Sequence, residues 1–519
     1  MLHFSLITLG QLFQLKVFHL ILIYYPFCLF PTVSGFSGNQ KINREAFLPS
    51  RLNRASFVLR LANQDVSVPL VPSIVEIPPD FETPTRGIIL VDPFSKYHSG
   101  YMMDHAVHHY GVGVVRVISP YIAKGLMSQQ HDVGCMIAPL QPSALKEWLE
   151  QIPFEIQAVI CESDSGLSYA EKLACALEQE GIPLRHNRYL QARRDKFTMN
   201  EICRFNGIDV VAQTLCESVQ ESISHAKTFG CLDDSTTSTP VIIKPRRGVA
   251  SDRVSLCRTL NEVPAAVEAI LNSTVFGTYD SKHASVLLQE YIDGTEYAID
   301  TVSKDGVHKI AALWVYDKTS TSEDGTQNPF AYLSGKLVSA NDPSHVCLPA
   351  VMDYVEECLT ALNIQWGMSH TEVKVQRNGK IRLIEVNARQ QNDNFGPLCD
   401  ACLGYNAMDM CLSAYLDEDG IFEAVPSRPL LRLHGMIVNL ASFVEGTISA
   451  IHHLDHIEEL ESVEALEIYP GFDIGQSVRR TKDIRSDCGW VHLVNESEDK
   501  MMDDYKKICN WMPNIFDIK

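Results

Sequence analysis

The stretch KIRLIEVNARQQNDN, residues 380–394, decides the fold of this chain. Its middle has the composition of a buried strand with one apolar face, made of Ile384, Val386 and Ala388. Because side chains alternate along a strand, the opposite face is polar and carries Glu385, Asn387 and Arg389. An acid, an amide and a guanidinium in a row raise the question of what they bind.

The residues just upstream predict a hairpin that returns along this strand. Asn378-Gly379 is the strongest short-range signal for a two-residue turn, in which both positions take positive φ. Folding the chain about it predicts five cross-strand pairs: Arg377 with Lys380, Val375 with Arg382, Val373 with Ile384, Glu372 with Glu385, and His370 with Asn387.

Two acids face each other in this register. Opposed side chains have Cβ atoms about 5 Å apart, so the carboxylates of Glu372 and Glu385 repel unless a cation lies between them. Two carboxylates and the Asn387 amide form an oxygen-only set that suits Mg²⁺, which proteins hold through few ligands plus substrate phosphates. The alternative is a solvated hairpin whose acids pair with Lys374 or Arg389, and the hairpin alone does not decide between the two.

Length and composition indicate a large, acidic, multi-domain protein. With 519 residues and 45% apolar content, the chain can bury the cores of two or three domains. The formal net charge is −20, although residues 1–64 carry six basic side chains and one acidic one. Such a body argues against nucleic acid as a partner, because phosphate contacts need clustered Lys and Arg. A nucleotide needs only a few well-placed lysines.

The N-terminus differs from everything after it. The run VFHLILIYYPFCLF, residues 17–30, has the length of a signal-peptide apolar region, and small residues for cleavage precede Phe36. We therefore predict a signal-like leader over residues 1–35. A membrane anchor is the alternative, but the run is short for a span and contains Pro26.

Residues 36–84 form a second leader-like region. The segment from Phe36 is basic and nearly free of acids, as transit peptides are, and a Pro-rich linker follows it. VSGFSG, around Phe36, resembles the bipartite plastid-targeting motif of algae with secondary plastids. The leader implies entry into the secretory pathway and the resemblance implies a plastid. A simple secretory signal is the competing interpretation.

Alternating strand and helix patterns over residues 85–190 predict an α/β domain. GIILVDPF (87–94), VGVVRVIS (112–119) and IQAVICESDSG (156–166) read as strands, and the last of them ends in polar loop residues. YMMDHAVHHYGV (101–112) and LSYAEKLACALEQEGI (167–182) read as helices. This alternation is typical of a parallel sheet covered by helices.

Two strand–loop units stand out in the next predicted domain, residues 191–426. TPVIIKPRRGVASDRVSLC (239–257) is a strand that ends at Lys244, then a loop and a second strand. SVLLQEYIDGTEYAIDTVS (285–303) is a pair of strands. Burying a lysine charge at the end of an apolar strand is costly unless an anion neutralises it. Residues 427–519 are predicted to form a C-terminal α+β domain.

Six motifs, in this order, resemble those of the ATP-grasp superfamily, and in particular its L-amino acid ligases and carnosine synthase. They are ESDSGLSYAEKLACALEQEGIP (162–183), ARRDKFTMNEICRFNGI (192–208), VIIKPRRG (241–248), LLQEYIDGTEYAID (287–300), GMSHTEVKVQ (367–376) and RLIEVNAR (382–389). The resemblance runs from Gly87 to the C-terminus. It implies a Rossmann-like pre-ATP-grasp domain, an ATP-grasp domain with a lid (about 197–289) and a metal-bearing antiparallel sheet, and the C-terminal domain.

The resemblance assigns the nucleotide contacts. The lysines that match the family's phosphate contacts are Lys196 and Lys244, with Lys318 as a further candidate. QEYI matches the hinge that holds adenine through backbone groups of Glu290 and Ile292, and Glu296 matches the acid that binds the ribose hydroxyls. Without the family, Lys196 would be a solvated lysine at a helix start and Glu296 a surface residue beside a turn.

The resemblance also assigns the metal and a substrate contact. Glu372, Glu385 and Asn387 match the metal ligands, in agreement with the hairpin register. The cofactors implied are therefore ATP and Mg²⁺, with Mn²⁺ as an alternative. Arg389 matches an arginine that faces the substrate carboxylate or the transferred phosphoryl group, where a guanidinium stabilises negative charge.

Two segments depart from the family pattern. The phosphate-covering loop, usually rich in Gly and Ser, reads PRRGVASDRV (245–254), with one glycine and three arginines. Backbone amides can still cradle a phosphate there, but fewer glycines restrict how closely the loop approaches it. RQQNDNFG (389–396) lacks the small, Gly-rich run of the relatives, which leaves the acceptor substrate open.

The implied reaction is ATP-dependent ligation of a carboxylate to an amine through an acyl phosphate, with amino-acid-like substrates. A biotin-type carboxylase shares the architecture but needs a biotin carrier segment, and the chain has no lysine between two methionines. A protein that binds ATP without turnover is the third interpretation, suggested by the altered phosphate loop. We expect small-molecule partners, no nucleic acid, no stable membrane span in the mature form, and a homodimer, which is common among the relatives.

Overall fold

The structure, a computed structural model, describes residues 73–74, 84–95, 97–128, 136–278, 281–318, 330–391, 395–416 and 420–519. The predicted leader over residues 1–35 lies outside these ranges, as does nearly all of the transit-like and Pro-rich segment over residues 36–84. Within the described ranges, no helix combines the length and the apolar composition needed to cross a membrane.

The first sheet has a parallel centre, which confirms the predicted N-terminal α/β fold. Its strands are β1 (Ser73–Ile74), β2 (Arg86–Val91), β3 (Gly113–Val117) and β4 (Glu155–Cys161), in the order β1-β3-β2-β4. β2 is parallel to β3 and β4, and the short edge strand β1 is antiparallel. Apolar cores on both faces explain why β2 to β4 are continuous apolar runs. The helices of this region are α1 (Ser99–His108), α2 (Pro120–Ser128), α3 (Pro142–Leu149) and α4 (Leu167–Gln179).

The second sheet is small and antiparallel. A 3-10 turn at Gln191–Arg194 and α5 (Lys196–Phe205) lead into it. Its strands are β5 (Gln213–Cys216), β6 (Val241–Pro245), β7 (Ser255–Cys257) and β8 (Val286–Glu290), in the order β5-β8-β6-β7. Its helices are α6 (Val219–Thr228) and α7 (Val263–Leu271), the latter preceded by a 3-10 turn at Leu260–Glu262. Helices and strands share one apolar core, so this part of the chain forms a unit of its own.

The third sheet has eight antiparallel strands. In spatial order they are β13 (Ile381–Asn387), β12 (Gly367–Val375), β9 (Thr295–Lys304), β10 (Val307–Asp317), β11 (Ser334–Leu337), β14 (His434–Leu440), β18 (Gly489–Asn495) and β16 (Val463–Ile468). Because β14 pairs with β11, the sheet continues across residue 426, where the C-terminal domain was predicted to begin.

Shorter elements complete the C-terminal part. A three-stranded sheet consists of β15 (Gly446–Ile451), β17 (Ser477–Val478) and β19 (Phe516–Ile518), with β15 in the middle. Two helices, α12 (Leu454–Glu458) and α13 (Glu498–Trp511), and 3-10 turns at Ile484–Ser486 and Met512–Asn514 accompany it. Their apolar side chains share a core with β14 and β18, so this part packs onto the end of the large sheet.

Helices on both faces hold the large sheet in place. On one face, α5 and α8 (Leu348–Ala361) pack over a core that contains Met199, Val355 and Val386. On the other, α9 (Gly396–Leu403), α10 (Ala407–Leu416) and α11 (Ile421–Ala424) follow β13 in sequence. All but one of the ten residues of α10 are buried, because α10 lies between the first sheet and the third. This burial on two sides explains why α10 is apolar all round.

Candidate active site

The hairpin between β12 and β13 is built differently from the prediction near its turn. Its loop has three residues rather than two, since Gln376 N donates to the Lys380 carbonyl at 2.9 Å. Positive φ occurs at Gly379 but not at Asn378, as in the common three-residue hairpin loop. The pairs next to the turn are therefore Val375 with Ile381 and Val373 with Leu383. The predicted pairs of Arg377 with Lys380, Val375 with Arg382 and Val373 with Ile384 are wrong.

A β-bulge at Ile384 restores the predicted register further along the strands. Beyond it, the cross-strand pairs are those predicted: Glu372 with Glu385 and His370 with Asn387. The bulge also changes which side chains are buried. Leu383 and Val386 pack in the core, whereas Ile384 lines a cleft beside Glu385, so the predicted apolar face of Ile384, Val386 and Ala388 is wrong at its first position.

A cleft lies between the second sheet and the third. Eight of the residues singled out in the sequence line it: Lys196, Lys244, Glu290, Ile292, Glu296, Lys318, Glu372 and Glu385. Asn387 is not among the lining residues, and Arg389 lines a second cavity, together with residues of the first sheet and α10. The structure thus brings residues from six separate segments of the chain to one cleft.

Lys196 contacts both the third sheet, at Glu385, and the phosphate-covering loop. It is the first residue of α5, which Asp195 caps by accepting a hydrogen bond from Thr198 N at 3.1 Å. Its Nζ lies 2.5 Å from Glu385 Oε2 and donates to the Gly248 carbonyl at 3.3 Å. Lys196 is therefore not a solvated lysine at a helix start.

Glu385 is held in its charged form. Burial alone would raise the pKa of this carboxyl, but the charge and hydrogen bond of Lys196 and a hydrogen bond from Asn387 Nδ2 at 3.0 Å hold it well below its usual range. The Lys244 ammonium acts in the same direction. A carboxylate that stays ionised in a buried position can bind a cation without first losing a proton.

Lys244 is the penultimate residue of β6 and is 5% exposed. Burial and the nearby Lys196 charge lower its pKa to about 8, although Glu385, Glu372 and Glu296 partly oppose the shift. The site therefore disfavours a second positive charge in this state. A phosphate between the two lysines would favour the charged form of both, which fits the predicted role of Lys244.

The arginines of the phosphate-covering loop are engaged by acids. Arg246 binds Asp195, with NH2 2.7 Å from Oδ2, and Arg247 lies 4.0 Å from the same oxygen. Arg253 pairs with Asp252. Since the side chains are held in this way, the amides of the loop remain as its means of cradling a phosphate.

The same loop takes left-handed backbone conformations at residues other than glycine. Ala250, Ser251 and Arg253 have φ values of 48°, 56° and 53°, whereas its single glycine, Gly248, does not have positive φ. Such conformations are costly for residues with a Cβ and need support from outside. Arg485 provides a contact: its NH1 lies 2.7 Å from Asp252 Oδ1, and its NH2 lies 2.6 Å from Asp483.

The predicted hinge and ribose contacts lie at the edge of the cleft. Glu290 N donates to the Ala212 carbonyl at 3.0 Å, and Lys374 Nζ donates to the Ile292 carbonyl at 3.3 Å. The Glu290 amide and the Ile292 carbonyl are therefore both engaged within the protein. Glu296 is buried rather than a surface residue beside a turn. It accepts a hydrogen bond from Lys318, whose Nζ also lies 3.8 Å from the centre of the Tyr332 ring.

Glu372 and Glu385 do not pair with Lys374 or Arg389 in the way that the alternative of a solvated hairpin predicted. Lys374 lies 3.7 Å from Glu296, and Arg389 binds Asp164, with its Nε 2.9 Å from Oδ2. Arg194 NH1 contacts the other oxygen of Asp164 at 2.5 Å. Burial alone would raise the pKa of Asp164, but the two guanidinium groups lower it.

Asp164 is a residue that sequence reasoning missed. It follows β4 in the polar loop at the carboxyl end of a parallel strand, where ligands of α/β sheets commonly bind. That position was the available signal. Through Arg389 it connects the first sheet to the strand that carries the predicted metal ligands.

The donor set of Glu372, Glu385 and Asn387 fits Mg²⁺ or Mn²⁺. Two carboxylates on paired strands and one amide supply oxygen atoms only, and Mg²⁺ takes its remaining ligands from water and phosphate. Within the part of the chain that the structure describes, no three His, Cys, Asp or Glu side chains are grouped closely enough to hold a metal by themselves. A cation at this position would therefore complete its coordination with water or phosphate oxygens rather than with further acidic side chains.

Comparisons with known proteins agree with this geometry. Residues 237–397 match the family model described as an ATP-grasp domain. Dapdiamide A synthase of Enterobacter agglomerans is 27% identical over 270 residues, which are 51% of this chain and 58% of that protein. Carnosine synthase 1 of Gallus gallus is 29% identical over 153 residues, which are 28% of this chain and 15% of that protein. The chain therefore matches less than two thirds of the length of either relative.

Among solved structures, the L-amino acid ligase from Bacillus licheniformis has a similar fold. The TM-score is 0.60 at 16% identity, over 84% of this chain and 100% of that one. At this identity the likeness concerns the fold alone. It confirms the predicted arrangement of an α/β domain followed by a lid and an antiparallel sheet.

Proposed function

We propose, from the ATP-grasp domain that this chain contains, that the protein is an ATP-dependent carboxylate–amine ligase that forms an amide or peptide bond. One observation carries the proposal: the paired acids Glu372 and Glu385 share a cleft with Lys196 and Lys244. Acids for a cation and lysines for phosphates in one cleft are what phosphoryl transfer from ATP requires.

The proposed reaction has two steps. A carboxylate oxygen of the first substrate attacks the γ-phosphorus of ATP, the bond to the β,γ-bridging oxygen breaks, and ADP leaves. The amine of the second substrate then attacks the carbonyl carbon of the acyl phosphate. The C–O bond to the phosphoryl group breaks, inorganic phosphate leaves, and the amine loses a proton. The protein contributes mainly orientation and charge stabilisation.

The residues of the cleft divide these tasks. Lys196 and Lys244 bind phosphate oxygens, and for this Lys196 exchanges its contact with Glu385 for one with the nucleotide. Glu372, Glu385 and Asn387 would hold Mg²⁺, which would supply positive charge to offset that of the phosphates. Arg389 stabilises the negative charge of the substrate carboxylate or the transferred phosphoryl group, and Asp164 sets its orientation.

Amino-acid-like molecules are the proposed acid and amine. The names of the relatives, an L-amino acid ligase, dapdiamide A synthase and carnosine synthase 1, support this class. We also propose, from the sequence, that the N-terminal leader directs the chain into the secretory pathway, with a plastid as the destination and a secretory compartment as the alternative. By analogy with ATP-grasp ligases, we propose that the protein forms homodimers.

The test is an ADP-release assay with the full chain, ATP and Mg²⁺ across pairs of amino acids. We expect ADP and phosphate only when both an acid and an amine are present, together with a product joined by an amide bond. ATP binding with no substrate-dependent ADP release would favour a non-catalytic ATP-binding protein. ADP release that depends on bicarbonate and biotin would favour a carboxylase.

A further inference from the structure

A chain of buried polar groups crosses three strands of the large sheet and ends at a predicted metal ligand. Trp314 Nε1 on β10 donates to Asp300 Oδ2 on β9 at 2.7 Å. The other oxygen of Asp300 accepts from His370 Nδ1 on β12 at 2.8 Å. His370 Nε2 lies 3.5 Å from Glu372 Oε1. Three residues without a predicted role thus lead to the carboxylate of Glu372.

The strand register explains why these groups meet. His370 is the direct cross-strand partner of Asp300 on one side and of Asn387 on the other. Glu372 lies two residues further along β12, on the same face, and pairs with Glu385. His370 therefore stands next to the predicted ligand set without being part of it.

His370 is placed to orient another group rather than to exchange protons with a substrate. It is 4% exposed, and it is not among the residues that line the cleft. Its two ring nitrogens face Asp300 and Glu372, so neither is directed toward an amine in the cleft. Asp300 is fixed in turn, because each of its oxygens has a partner and Trp314 is fully buried.

We propose that His370 is a positioning residue, which Asp300 and Trp314 hold in place and which keeps the Glu372 carboxylate in the orientation that binds the divalent cation of the nucleotide. The inference rests on the proposed function, since it assumes that a metal–nucleotide complex occupies the cleft. A carboxylate that is already oriented loses less rotamer freedom when it coordinates a cation. Groups behind metal ligands commonly change metal affinity by a factor of about 10 to 100.

The test measures Mn²⁺ binding rather than turnover. The full chain is titrated with Mn²⁺ in the presence of ADP, and free Mn²⁺ is followed by electron paramagnetic resonance. We expect His370→Ala to raise the Kd for Mn²⁺ by about 10 to 100-fold and His370→Gln, which keeps a donor, to recover part of the loss. ADP affinity measured in EDTA should not change in either variant.

Ser369→Ala is the matched control. Ser369 is also buried, precedes His370 on β12, faces the opposite side of the strand and contacts Thr301. We expect its Kd for Mn²⁺ to equal that of the parent. If His370→Ala does not fold, Trp314→Phe removes the hydrogen bond to Asp300 while it keeps an aromatic ring, and we expect a smaller loss of Mn²⁺ affinity.

Each result decides between the inference and its alternatives. If the parent protein binds no Mn²⁺ in the presence of ADP, the proposed function fails, and the inference fails with it. If the parent binds Mn²⁺ and His370→Ala, or Trp314→Phe in its place, binds it equally well, the positioning role alone is refuted. Equal losses in His370→Ala and Ser369→Ala would also refute it, because they would show a general effect of disturbing β12.

Discussion

Lys196 Nζ lies 2.5 Å from Glu385 Oε2, so α5 is joined to the sheet that carries the predicted metal ligands. In this structure Lys196 forms an ion pair with the acid that a cation would have to bind. Binding of a metal–nucleotide complex would replace this ion pair by two others, one between Glu385 and the cation and one between Lys196 and a phosphate. This exchange explains why the ionised Glu385 and the lysines lie so close together.

Loss of the Glu385 carboxylate should abolish turnover and leave the fold intact. We expect Glu385→Ala and the isosteric Glu385→Gln to lower kcat/KM by at least about 100-fold, because the charge on the phosphates is no longer neutralised. The measurement is ADP release, with circular dichroism as the check on folding. Glu464→Ala, on the exposed side of β16, is the control that should keep full activity. Unchanged activity in Glu385→Gln would refute the metal assignment.

Lys244→Met should stabilise the protein while it weakens ATP binding. The pKa of Lys244 falls from 10.5 to about 8, so the buried charge costs about 3 kcal/mol of unfolding free energy below pH 8. Methionine has a similar length and carries no charge. We expect a higher Tm than the parent at pH 7 and a much weaker affinity for ATP, measured by thermal unfolding and nucleotide titration.

The stability difference between Lys244→Met and the parent should depend on pH. The unfolded parent binds the Lys244 proton up to about pH 10.5, whereas the folded parent releases it near pH 8. Stability of the parent should therefore rise with pH between these values, and the advantage of Lys244→Met should shrink over the same interval. An advantage that stays constant from pH 7 to pH 10.5 would contradict the assigned pKa.

The contact between Arg485 and Asp252 should hold the phosphate-covering loop in its strained form. We expect Arg485→Ala to raise KM for ATP by about fivefold with a smaller change in kcat, because a partly buried ion pair contributes about 1 kcal/mol. Steady-state kinetics with ATP as the varied substrate measure this. Arg479→Ala, an exposed arginine of the same region, should leave both constants unchanged. Equal KM values in the two variants would show that the contact does not affect the loop.

Asp164 should be important for stability as well as for the orientation of Arg389. Asp164→Asn leaves the buried guanidinium of Arg389 and the partly buried one of Arg194 without their counter-charge, so we expect a loss of about 3 kcal/mol in unfolding free energy at pH 7. The folded-state pKa of Asp164 is lowered, so its contribution is present above about pH 4 and is lost as the pH falls further. Urea unfolding at several pH values measures both effects. A difference that persists undiminished at pH 2 would contradict the charge-based explanation.

The strand and helix patterns of short sequence segments predicted the elements of the fold that form from neighbouring residues. The alternation of strand and helix patterns over residues 85–190 predicted the parallel sheet of β2, β3 and β4. The pairing of Glu372 with Glu385 was also predicted, but through two errors that cancel. The loop at Gly379 is one residue longer than predicted, and the bulge at Ile384 removes the resulting offset. No local pattern showed the bulge, which goes with the burial of Leu383 rather than Ile384.

Contacts between distant segments could not be predicted from spacing. Arg389 and Asp164 are 225 positions apart, and Arg485 and Asp252 are 233 apart. Their meeting depends on how the three sheets pack, which no local pattern shows. The same holds for Lys374, which the sequence assigned to the hairpin acids and the structure places beside Glu296.

The most direct test of the metal site is the position of a cation in crystals of the full chain grown with Mn²⁺ and a non-hydrolysable ATP analogue. Anomalous scattering locates the manganese independently of the protein coordinates. We predict a peak about 2.1 Å from carboxylate oxygens of both Glu372 and Glu385, in contact with a phosphate oxygen of the analogue. A manganese peak away from these two acids, with the analogue bound, would contradict the proposed site.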